Sequence, residues 1–439
     1  MTKMKLSPGK MALLGFQHVF AMFGATVLVP TLTGLSVSST LLFAGLGTLL
    51  FHLLTKRKVP AFLGSSFAFL GGYAAVKSLV ENSGTGANWI PYAGVGVACA
   101  GLLYVIVSML FKAFGPNKVM RFFPPVVTGP IIICIGITLA NSAVNNCATN
   151  WWIAILAVAI VVVFNIWGKG MFKIIPILLG VVGSYLVAAL CGQVDFTKVQ
   201  EAAWIGLPFD WKDTTFSLIG NVDGSLLASA IAMMMPIALA TMMEHIGDMC
   251  AISSTVGQNF ISDPGLHRTL LGDGLATALA AIFGAPANTT YGENTGVLAL
   301  TKVYDPRVIR LAACIAVVFS FCPKFAALVS CMPAATIGGV SLILYGMISA
   351  VGVRNIVENQ VDFTKSRNVI IAAMIMSLSL GIAFSKAGAI SFMVGGITIS
   401  LSGLAVASLV GILLNAILPG NDYQFGVNDL GDTSVNFKV

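Results

Sequence analysis

The sequence predicts an all-α polytopic membrane protein that crosses the bilayer fourteen times. Hydrophobic residues make up 57% of the 439 residues and charged residues only 9%, whereas about a quarter of the residues of a soluble domain are charged. The hydrophobic residues form stretches that are long enough to cross or enter a bilayer. These stretches begin near residues 11, 36, 59, 92, 122, 150, 172, 224, 268, 289, 306, 334, 368 and 391.

Basic residues mark one side of the predicted membrane segments. They follow each even-numbered stretch, as Lys56, Arg57 and Lys58 do after the second and Arg354 does after the twelfth. The intervening loops are nearly free of lysine and arginine. The positive-inside rule therefore predicts that both termini are cytoplasmic. These loops also account for the net charge of +7, so the charge does not indicate a nucleic-acid partner.

The fourteen predicted segments divide into two halves of seven. The Gln-His pair at 17–18 resembles the Glu-His pair at 244–245, and the same offset of 227 residues relates Ser66 to Glu293. Because seven is odd, the two halves have opposite orientations in the membrane. Such an inverted repeat is typical of many secondary transporters. The connection 192–222 carries acidic residues and tryptophans, and we expect it outside the cell at the membrane interface.

The third and tenth segments are interrupted by small and polar residues. In the third, the run 64–66 (GSS) is expected to be extended, and a short helix should start near Phe67. In the tenth, the run 288–291 (NTTY) is expected to be extended, and a helix should start near Glu293. Irregular backbone is tolerated within a membrane only where it lines a cavity or is buried in protein. We therefore predict a short antiparallel β pair whose two helix N-termini face one binding pocket.

Two glutamates lie in these apolar surroundings. A carboxylate at the centre of a membrane helix costs roughly 2.5–3.5 kcal/mol, so Glu244 and Glu293 predict a binding function. They offer acceptors for ring N–H groups, and the amides of Gly292 and Phe67 offer donors for carbonyl oxygens. The Phe67 ring either covers one face of a ligand or packs in the core. The pocket suits a flat, polar, weakly acidic molecule.

Asp248 lies four residues after Glu244, so the two carboxylates share one face of a helix. Two such groups in a low dielectric disfavour double ionisation, and one should hold a proton near neutral pH. Proton coupling is the natural use of this pair. The hydroxyl of Tyr345 adds to this network, unless Tyr345 is simply a core tyrosine. His245 is expected to be a packed, hydrogen-bonded histidine.

Asp273 lies near the start of the ninth segment, shortly after Arg268. Either the two residues form a structural ion pair on the cytoplasmic side, or Asp273 has a functional role. The sequence has no G-x-x-x-x-G-K-[ST] motif for ATP, no H-E-x-x-H or G-x-S-x-G motif, and no paired Cys/His set. We therefore expect no cofactor, no metal site and no enzymatic activity.

Five segments resemble the nucleobase–ascorbate transporter family, also called nucleobase:cation symporter 2, and in particular its uracil-transporting bacterial members. They are QHVFAMFGATVLVP (17–30), LGSSFAF (63–69), DPGLHR (263–268), NTTYGENTGV (288–297) and GGVSLILYG (338–346). The family signature is Gln or Glu, then Asn-x-Gly, then four residues and Thr, and here it runs from Glu293 to Thr301. Purine and ascorbate members usually carry Gln first, and uracil members usually carry Glu.

The resemblance implies a core domain and a gate domain that move against each other. The core would comprise residues 1–113 (spans 1–4) and 223–330 (spans 8–11). The gate would comprise 114–222 (spans 5–7 and the external linker) and 331–439 (spans 12–14 and the cytoplasmic tail). Substrate would bind in the core, between the crossed strands of spans 3 and 10. Family members are often dimeric through the gate domain, which makes a homodimer a further expectation.

The resemblance also implies proton-coupled uptake of uracil across the cytoplasmic membrane of a bacterium. The substrate-binding residues would be Glu244, Glu293, Phe67, Gly292, Tyr291 and Ala25. From the carboxylate pair itself, we expect the proton-coupling residues to be Asp248, Glu244 and Tyr345. The residues that support the site would be Gln17, His18, Ser66, His245, Asn294, Gly296 and Ser341.

Three alternatives remain open at this point. The uracil-transporting members usually carry His where Asp248 stands, and together with Asp273 this departure favours a purine (xanthine or urate) permease of the same fold. An anion exchanger or channel on an inverted-repeat fold would instead prefer a basic or neutral site to two glutamates. A membrane enzyme would need a nucleophile–base pair or a metal set, which the sequence lacks.

Overall fold

Apolar helices make up most of the fold. The computed structural model describes residues 7–220, 222–395 and 397–421. The helices are α1 Pro8–Thr33, α2 Val37–Leu54, α3 Leu70–Asn82, α4 Trp89–Phe114, α5 Pro116–Met120, α6 Pro125–Cys147, α7 Trp151–Ile166, α8 Met171–Ile174, α9 Pro176–Leu190, α10 Thr197–Glu201, α11 Gly224–Met234, α12 Ala238–Val256, α13 Leu266–Ile282, α14 Gly292–Thr301, α15 Pro306–Ser320, α16 Pro323–Ser330, α17 Ala334–Glu358, α18 Ser366–Ala383 and α19 Gly403–Ile417.

Four short strands and several short helical turns complete the description. The strands are β1 Leu63–Ser65, β2 Asn288–Thr290, β3 Ala389–Val394 and β4 Ile397–Ser402. The turns of 3-10 helix are Phe67–Phe69, Trp211–Asp213, Thr215–Leu218 and Met235–Ile237, and one π turn spans Ile261–Gly265.

The longest helices have the length and apolarity of membrane spans. Within the described residues, six helical segments pass that test, with α11 and α12 counted together as Gly224–Val256. A seventh is added if α15 and α16, which meet at 87°, form one broken span. Three further apolar helices, α7, α9 and α19, are 15 or 16 residues long. The protein is therefore a multi-pass membrane protein.

Close helix contacts hold the fold together through small residues. The most extensive contacts join α6 to α17, α4 to α13, and α2 to α15. At the crossing of α4 and α13, a Cβ added to Gly101 would lie 2.5 Å from the carbonyl oxygen of Gly274. The backbones can approach this closely only because neither residue has a side chain. Such small-residue contacts are typical of helix packing in membranes, where lipid is as apolar as the core.

The strands β1 and β2 form a two-stranded antiparallel pair in the middle of the helices. Leu63 pairs with Thr290, Gly64 with Thr289 and Ser65 with Asn288, and all six residues are buried. Two more backbone hydrogen bonds extend the pair, from the Ser66 amide to Ala287 (2.9 Å) and from the Tyr291 amide to Phe62 (3.0 Å). The short helix 67–69 with α3 follows β1, and α14 follows β2.

The outer edges of this strand pair are capped by threonines from neighbouring helices. Thr48 of α2 accepts a hydrogen bond from the Leu63 amide (2.9 Å) and donates to the Leu63 carbonyl (3.3 Å). Thr277 of α13 donates to the carbonyl of Asn288 (2.8 Å). A membrane interior supplies no water to satisfy a free strand edge, and these hydroxyls take that role.

The last apolar stretch does not fold as the sequence predicts. We expect a helical span from residue 391, whereas the structure has a β hairpin of β3 and β4, and α19 begins only at Gly403. The run is rich in β-branched and aromatic residues and turns at Gly395, which has a positive φ of 58°. The amide of Thr398 donates to Ser229 of α11 (3.0 Å), which anchors β4. The described part of the chain is therefore mostly helical and contains two small β pairs.

Candidate functional site

A cavity of about 560 Å³ lies where the two interrupted segments meet α6, α12 and α17. At one end it is bounded by the β1–β2 pair and the residues that follow each strand. At the other end it reaches Lys173, Arg354 and Glu358, which lie in or next to loops that the sequence predicts to be cytoplasmic. The predicted site residues that line it are Ser66, Phe67, Glu244, Asp248, Tyr291 and Gly292.

Two carboxylic acids from α12 face this cavity. Glu244 is partly exposed to it, and Asp248, one turn further along, is 7% exposed. The hydroxyl of Thr290 in β2 donates a hydrogen bond to Oδ2 of Asp248 (3.0 Å). The other oxygen, Oδ1, lies 3.2 Å from the point where a Cβ on Gly292 would stand. The Asp248 carboxylate is therefore placed against the N-terminus of α14, where a negative charge is favoured.

A second titratable pair is buried behind these acids. Nδ1 of His245 lies 3.2 Å from Oδ2 of Asp273, and both side chains are fully buried. The same nitrogen lies 3.2 Å from the Thr290 hydroxyl. The expected alternative of an Asp273–Arg268 ion pair is wrong, because Arg268 instead donates to the carbonyl of Leu54 (3.1 Å). The His245–Asp273 contact depends on the packing of α12 against α13, and the sequence carries no signal for it.

Phe67 and Tyr345 meet across the cavity wall. Their ring centroids lie 5.4 Å apart at 80°, an edge-to-face contact between the segment after β1 and α17. Both side chains are buried, and Ser341 lies one turn before Tyr345 on the same helix. Phe67 lines the cavity, whereas Tyr345 does not line it and contacts the Phe67 ring. An aromatic pair of this kind typically contributes about 0.5–1.5 kcal/mol beyond the area that it buries.

The hydroxyl of Tyr291 turns away from the cavity and into the strand pair. It donates to the carbonyl of Ser65 (2.9 Å) and lies 3.0 Å from the Ser65 hydroxyl. Thr26 of α1 donates to it from 3.3 Å. Gly64 faces the same ring, and a Cβ there would lie 2.5 Å from two ring carbons. Tyr291 therefore holds β1, β2 and α1 together and offers only its ring to the cavity.

The predicted supporting residues connect α1 with α14. Nδ2 of Asn294 lies 3.2 Å from Nδ1 of His18 and 3.4 Å from its carbonyl oxygen. Gln17, next to His18, is buried as well. The side chains of Ala25 and Glu293 and the surroundings of Gly296 lie outside the described part of the structure, although all three positions fall within helices. Within the described residues, no group of His, Cys, Asp or Glu side chains could hold a metal ion.

This combination of features defines a membrane transport protein. The chain has many apolar helices, two interrupted segments that meet within them, and a cavity that contains carboxylic acids. Residues 9–388 match the model Xan_ur_permease, whose description is "Permease family", and the chain belongs to this family. It is accordingly a permease and not an enzyme.

Several relatives match over nearly the whole chain. The uracil permease of Bacillus caldolyticus is 42% identical over 423 residues, which cover 94% of this chain and 93% of that protein. The uracil permease of Bacillus subtilis (strain 168) is 41% identical, with 92% and 91% covered. The uracil permease of Escherichia coli (strain K12) is 36% identical, with 92% and 90% covered.

Solved structures of other transporters share the fold. The transmembrane domain of the cyanobacterial bicarbonate transporter BicA aligns with a TM-score of 0.60 at 15% identity, covering 94% of this chain and 98% of that chain. SLC26A9 aligns with a TM-score of 0.64 at 12% identity, covering 93% and 64%. At such low identity the likeness extends to the fold alone.

Proposed function

We propose that this permease takes up uracil together with a proton across the cytoplasmic membrane of a bacterium. The main support is that three relatives at 36–42% identity, each matched over more than 90% of this chain, are named uracil permeases. The cavity agrees with a small, flat, polar substrate. It combines a partly exposed carboxylic acid, the N-terminus of α14 and an aromatic ring within one pocket of about 560 Å³.

In this proposal, the substrate binds beside the β1–β2 pair. Glu244 and Glu293 accept hydrogen bonds from the ring N–H groups, while the amides of Gly292 and Phe67 donate to the carbonyl oxygens. The Phe67 ring, supported by Tyr345, covers one face of the base. Tyr291 holds the strands in register, and Ala25 lies nearby. Each half of the chain contributes one strand and one helix N-terminus, so the site needs both halves.

Proton coupling is supported by the two acids on one face of α12. Glu244 and Asp248 are one helical turn apart and both line the cavity, which disfavours two negative charges at once. When a proton binds together with a neutral base, the negative charge of the two acids in the site is reduced by one. Tyr345 contributes from the gate side through its contact with Phe67.

We further propose fourteen spans arranged as two inverted repeats of seven. Several helix contacts occur in equivalent pairs that support this assignment: α2 packs on α15 as α4 packs on α13, and α7 packs on α9 as α18 packs on α19. The core domain would comprise residues 1–113 and 223–330, and the gate domain 114–222 and 331–439. The cavity reaches the predicted cytoplasmic loops, which is consistent with an inward-open state of an alternating-access cycle. Both termini would be cytoplasmic, and two copies would associate through the gate.

A purine permease with the same architecture is the second candidate. It is favoured by Asp248, which stands where uracil-transporting members usually carry His, and by the buried Asp273. Competition between uracil and xanthine for uptake separates these two candidates. Anion exchange is less consistent with the site, although the fold is shared with a bicarbonate transporter, because two acids would repel an anion.

The decisive experiment is uptake of radiolabelled uracil into proteoliposomes with an acidic exterior, with and without a protonophore. We expect uptake that collapses when the proton gradient is removed. Uptake that is insensitive to the protonophore would contradict proton coupling. An absence of uracil uptake by protein that is folded and active with xanthine would favour the purine permease.

A further inference from the structure

An arginine near the start of α15 has a buried guanidinium nitrogen without a partner. Nη1 of Arg310 is shielded from solvent and has no hydrogen-bond partner among the described residues. Taking a cationic group out of water is costly unless an acceptor or an opposite charge compensates it. Arg310 lies about one turn into α15, at the end of the helix that the sequence predicts to be cytoplasmic. This end of α15 is therefore a candidate site for an anionic group.

The charged groups around Arg310 leave an excess of positive charge. Arg57, Asp305 and Arg307 all lie within electrostatic range of it. Asp305 is engaged by Arg307, whose Nε lies 3.1 and 3.0 Å from the two carboxylate oxygens and whose Nη2 lies 2.7 Å from Oδ2. Because Asp305 is held in this way, Arg57 and Arg310 remain as two like charges that repel each other. An anion that contacts both of them would remove this repulsion.

Arg57 belongs to the basic run 56–58 at the end of α2. Nζ of Lys56 lies 3.9 Å from Asp263, and Lys58 forms an ion pair with the same carboxylate. Among the described residues, Arg57 is the only member of the run without an acidic partner. Its side chain is exposed, and its backbone amide donates to the carbonyl of His52 (2.6 Å), which holds it at the end of α2. The ends of α2 and α15 thus bring two unpaired guanidinium groups within electrostatic range of each other.

The helices α2 and α15 run antiparallel. Their other ends are joined by the linker between α10 and α11. In this linker the carbonyl of Pro208 accepts a hydrogen bond from Ser39 in the first turn of α2 (2.8 Å), and the amide of Gly206 donates to the carbonyl of Phe321 after the last turn of α15 (3.1 Å). The two arginines therefore lie at the opposite end of the helix pair, on the side that the positive-inside rule predicts to be cytoplasmic.

An apolar groove between α2 and α15 leads away from the two arginines. The helices touch at Gly45, where a Cβ would lie 2.5 Å from the carbonyl oxygen of Ala313. On two antiparallel helices, the residues that follow the contact residues turn to the same side of the pair. The exposed side chains on that side are Leu46 and Leu53 of α2 and Cys314 and Val318 of α15. Arg310 lies one turn before Cys314 on the same stripe of α15, so it stands at the head of the groove.

We propose that Arg57 and Arg310 bind the phosphate of an anionic glycerophospholipid of the cytoplasmic leaflet, and that one acyl chain of this lipid lies in the groove. A guanidinium group matches the geometry of a phosphate and donates charge-assisted hydrogen bonds to it. Basic pockets between membrane helices on the cytoplasmic side are typical sites for anionic headgroups. The apolar groove favours a lipid over a soluble anion, and a zwitterionic lipid brings no net charge to offset the two arginines.

The bound lipid has a structural consequence for the proposed core domain. It contacts α2 and α15 together and so stabilises their packing at the end where the two arginines repel each other. Its binding does not depend on which substrate the protein transports. The site is therefore tested without any assay of uptake.

Lipid titration of the full-length, delipidated protein in detergent tests the site. The melting temperature should rise with dioleoylphosphatidylglycerol, rise much less with dioleoylphosphatidylcholine, and stay unchanged in millimolar inorganic phosphate. Native mass spectrometry of the same samples resolves individual bound lipids and gives the Kd of the tightest one. Arg57→Gln and Arg310→Gln should each raise the Kd for phosphatidylglycerol at least about tenfold, because each removes charge-assisted hydrogen bonds to the phosphate.

The matched control is Arg121→Gln, which removes the same charge from an exposed arginine on the same predicted side of the membrane. The hydrogen bond that Arg121 forms with Asn415 uses its backbone carbonyl, so the substitution leaves that contact in place. Arg121→Gln should bind phosphatidylglycerol with the Kd of the wild type. An equal loss in this control would show attraction by overall charge and overturn the proposal.

Two further outcomes would also overturn the proposal. One is an unchanged Kd for phosphatidylglycerol in both Arg57→Gln and Arg310→Gln. The other is stabilisation of the wild type by inorganic phosphate as strong as that by phosphatidylglycerol, which would indicate a site for a soluble anion. If Arg310→Gln does not fold, Arg57→Gln still decides, because its side chain is exposed and its removal disturbs no packing.

Discussion

Substitution of Gly64 by alanine tests whether the strand pair requires a residue without a side chain. The added Cβ would stand 2.5 Å from Cε2 and Cζ of Tyr291 and 2.8 Å from its hydroxyl oxygen. Ordinary carbon contacts are about 3.5–4.0 Å, so the ring must retreat by roughly 1 Å. The ring cannot retreat freely, because its hydroxyl is bonded to Ser65 (2.9 Å) and Thr26 (3.3 Å).

The expected cost follows from these contacts. Overpacking of a core costs about 1–3 kcal/mol, and two weakened hydrogen bonds add about 1 kcal/mol each. The sum of about 3–5 kcal/mol is a large part of the roughly 5–15 kcal/mol by which proteins are usually stable. We therefore expect Gly64→Ala to melt well below the wild type in detergent. It should also bind uracil at least about tenfold more weakly, because the proposed donors, the amides of Phe67 and Gly292, follow directly after the displaced strands.

Two nearby glycines provide matched controls. A Cβ on Gly71 would meet nothing within 4 Å, and alanine is favoured over glycine in a helix by about 1 kcal/mol, so Gly71→Ala should be neutral or stabilising. A Cβ on Gly72 would meet Met234 and Ile237 only at the ends of their side chains, so Gly72→Ala should be intermediate. If Gly64→Ala melts and binds like Gly71→Ala, the strand pair does not depend on this close approach.

Three further predictions concern the cavity and the cytoplasmic side. Glu293→Gln should abolish uracil binding in an equilibrium assay, and unchanged binding would remove Glu293 from the site. Cys250 lines the cavity, so a variant with this cysteine alone should react with a membrane-impermeant thiol reagent from the cytoplasmic side, and labelling from outside only would contradict the inward-open assignment. A hydrogen bond from Lys58 lowers the pKa of Asp263 in the folded protein. This exposed pair should therefore stabilise the folded state fully above about pH 4, the ordinary pKa of an aspartate, and its contribution should disappear as the pH falls through the lowered pKa. The difference in melting temperature between the wild type and Asp263→Asn should thus be constant from pH 8 to pH 5 and shrink below that range, whereas a difference that grows in acid would contradict the sign.

The local features of the site could be predicted because they have local causes. The run Gly64–Ser66 and the β-prone run before Gly292 interrupt apolar segments, and the structure has a strand at each of these places. Glu244 and Asp248 stand out because acids are rare in such surroundings, and their spacing puts them on one helix face. These inferences needed only short stretches of sequence.

Other features depend on packing between distant segments and could not be predicted. The sequence suggests Arg268 as the partner of Asp273 because the two are near in the chain, whereas the actual partner, His245, comes from another helix. The hydroxyl of Tyr291 points into the strand pair because it donates a hydrogen bond to the Ser65 carbonyl and accepts one from Thr26. The hairpin before α19 could not be distinguished from a membrane helix, since a run of apolar β-branched residues fits both structures.

The pairing of β1 with β2 also constrains how the protein is made. β1 leaves the ribosome more than 220 residues before its partner strand, and at about 5–20 residues per second the delay is roughly 10–45 s. During that time Thr48 can cap one edge of β1, but the other edge has no strand to pair with. One edge of β1 therefore stays unpaired in the membrane until β2 has been synthesised. We expect an N-terminal fragment that ends before β2 to remain incompletely folded and to be degraded by membrane proteases.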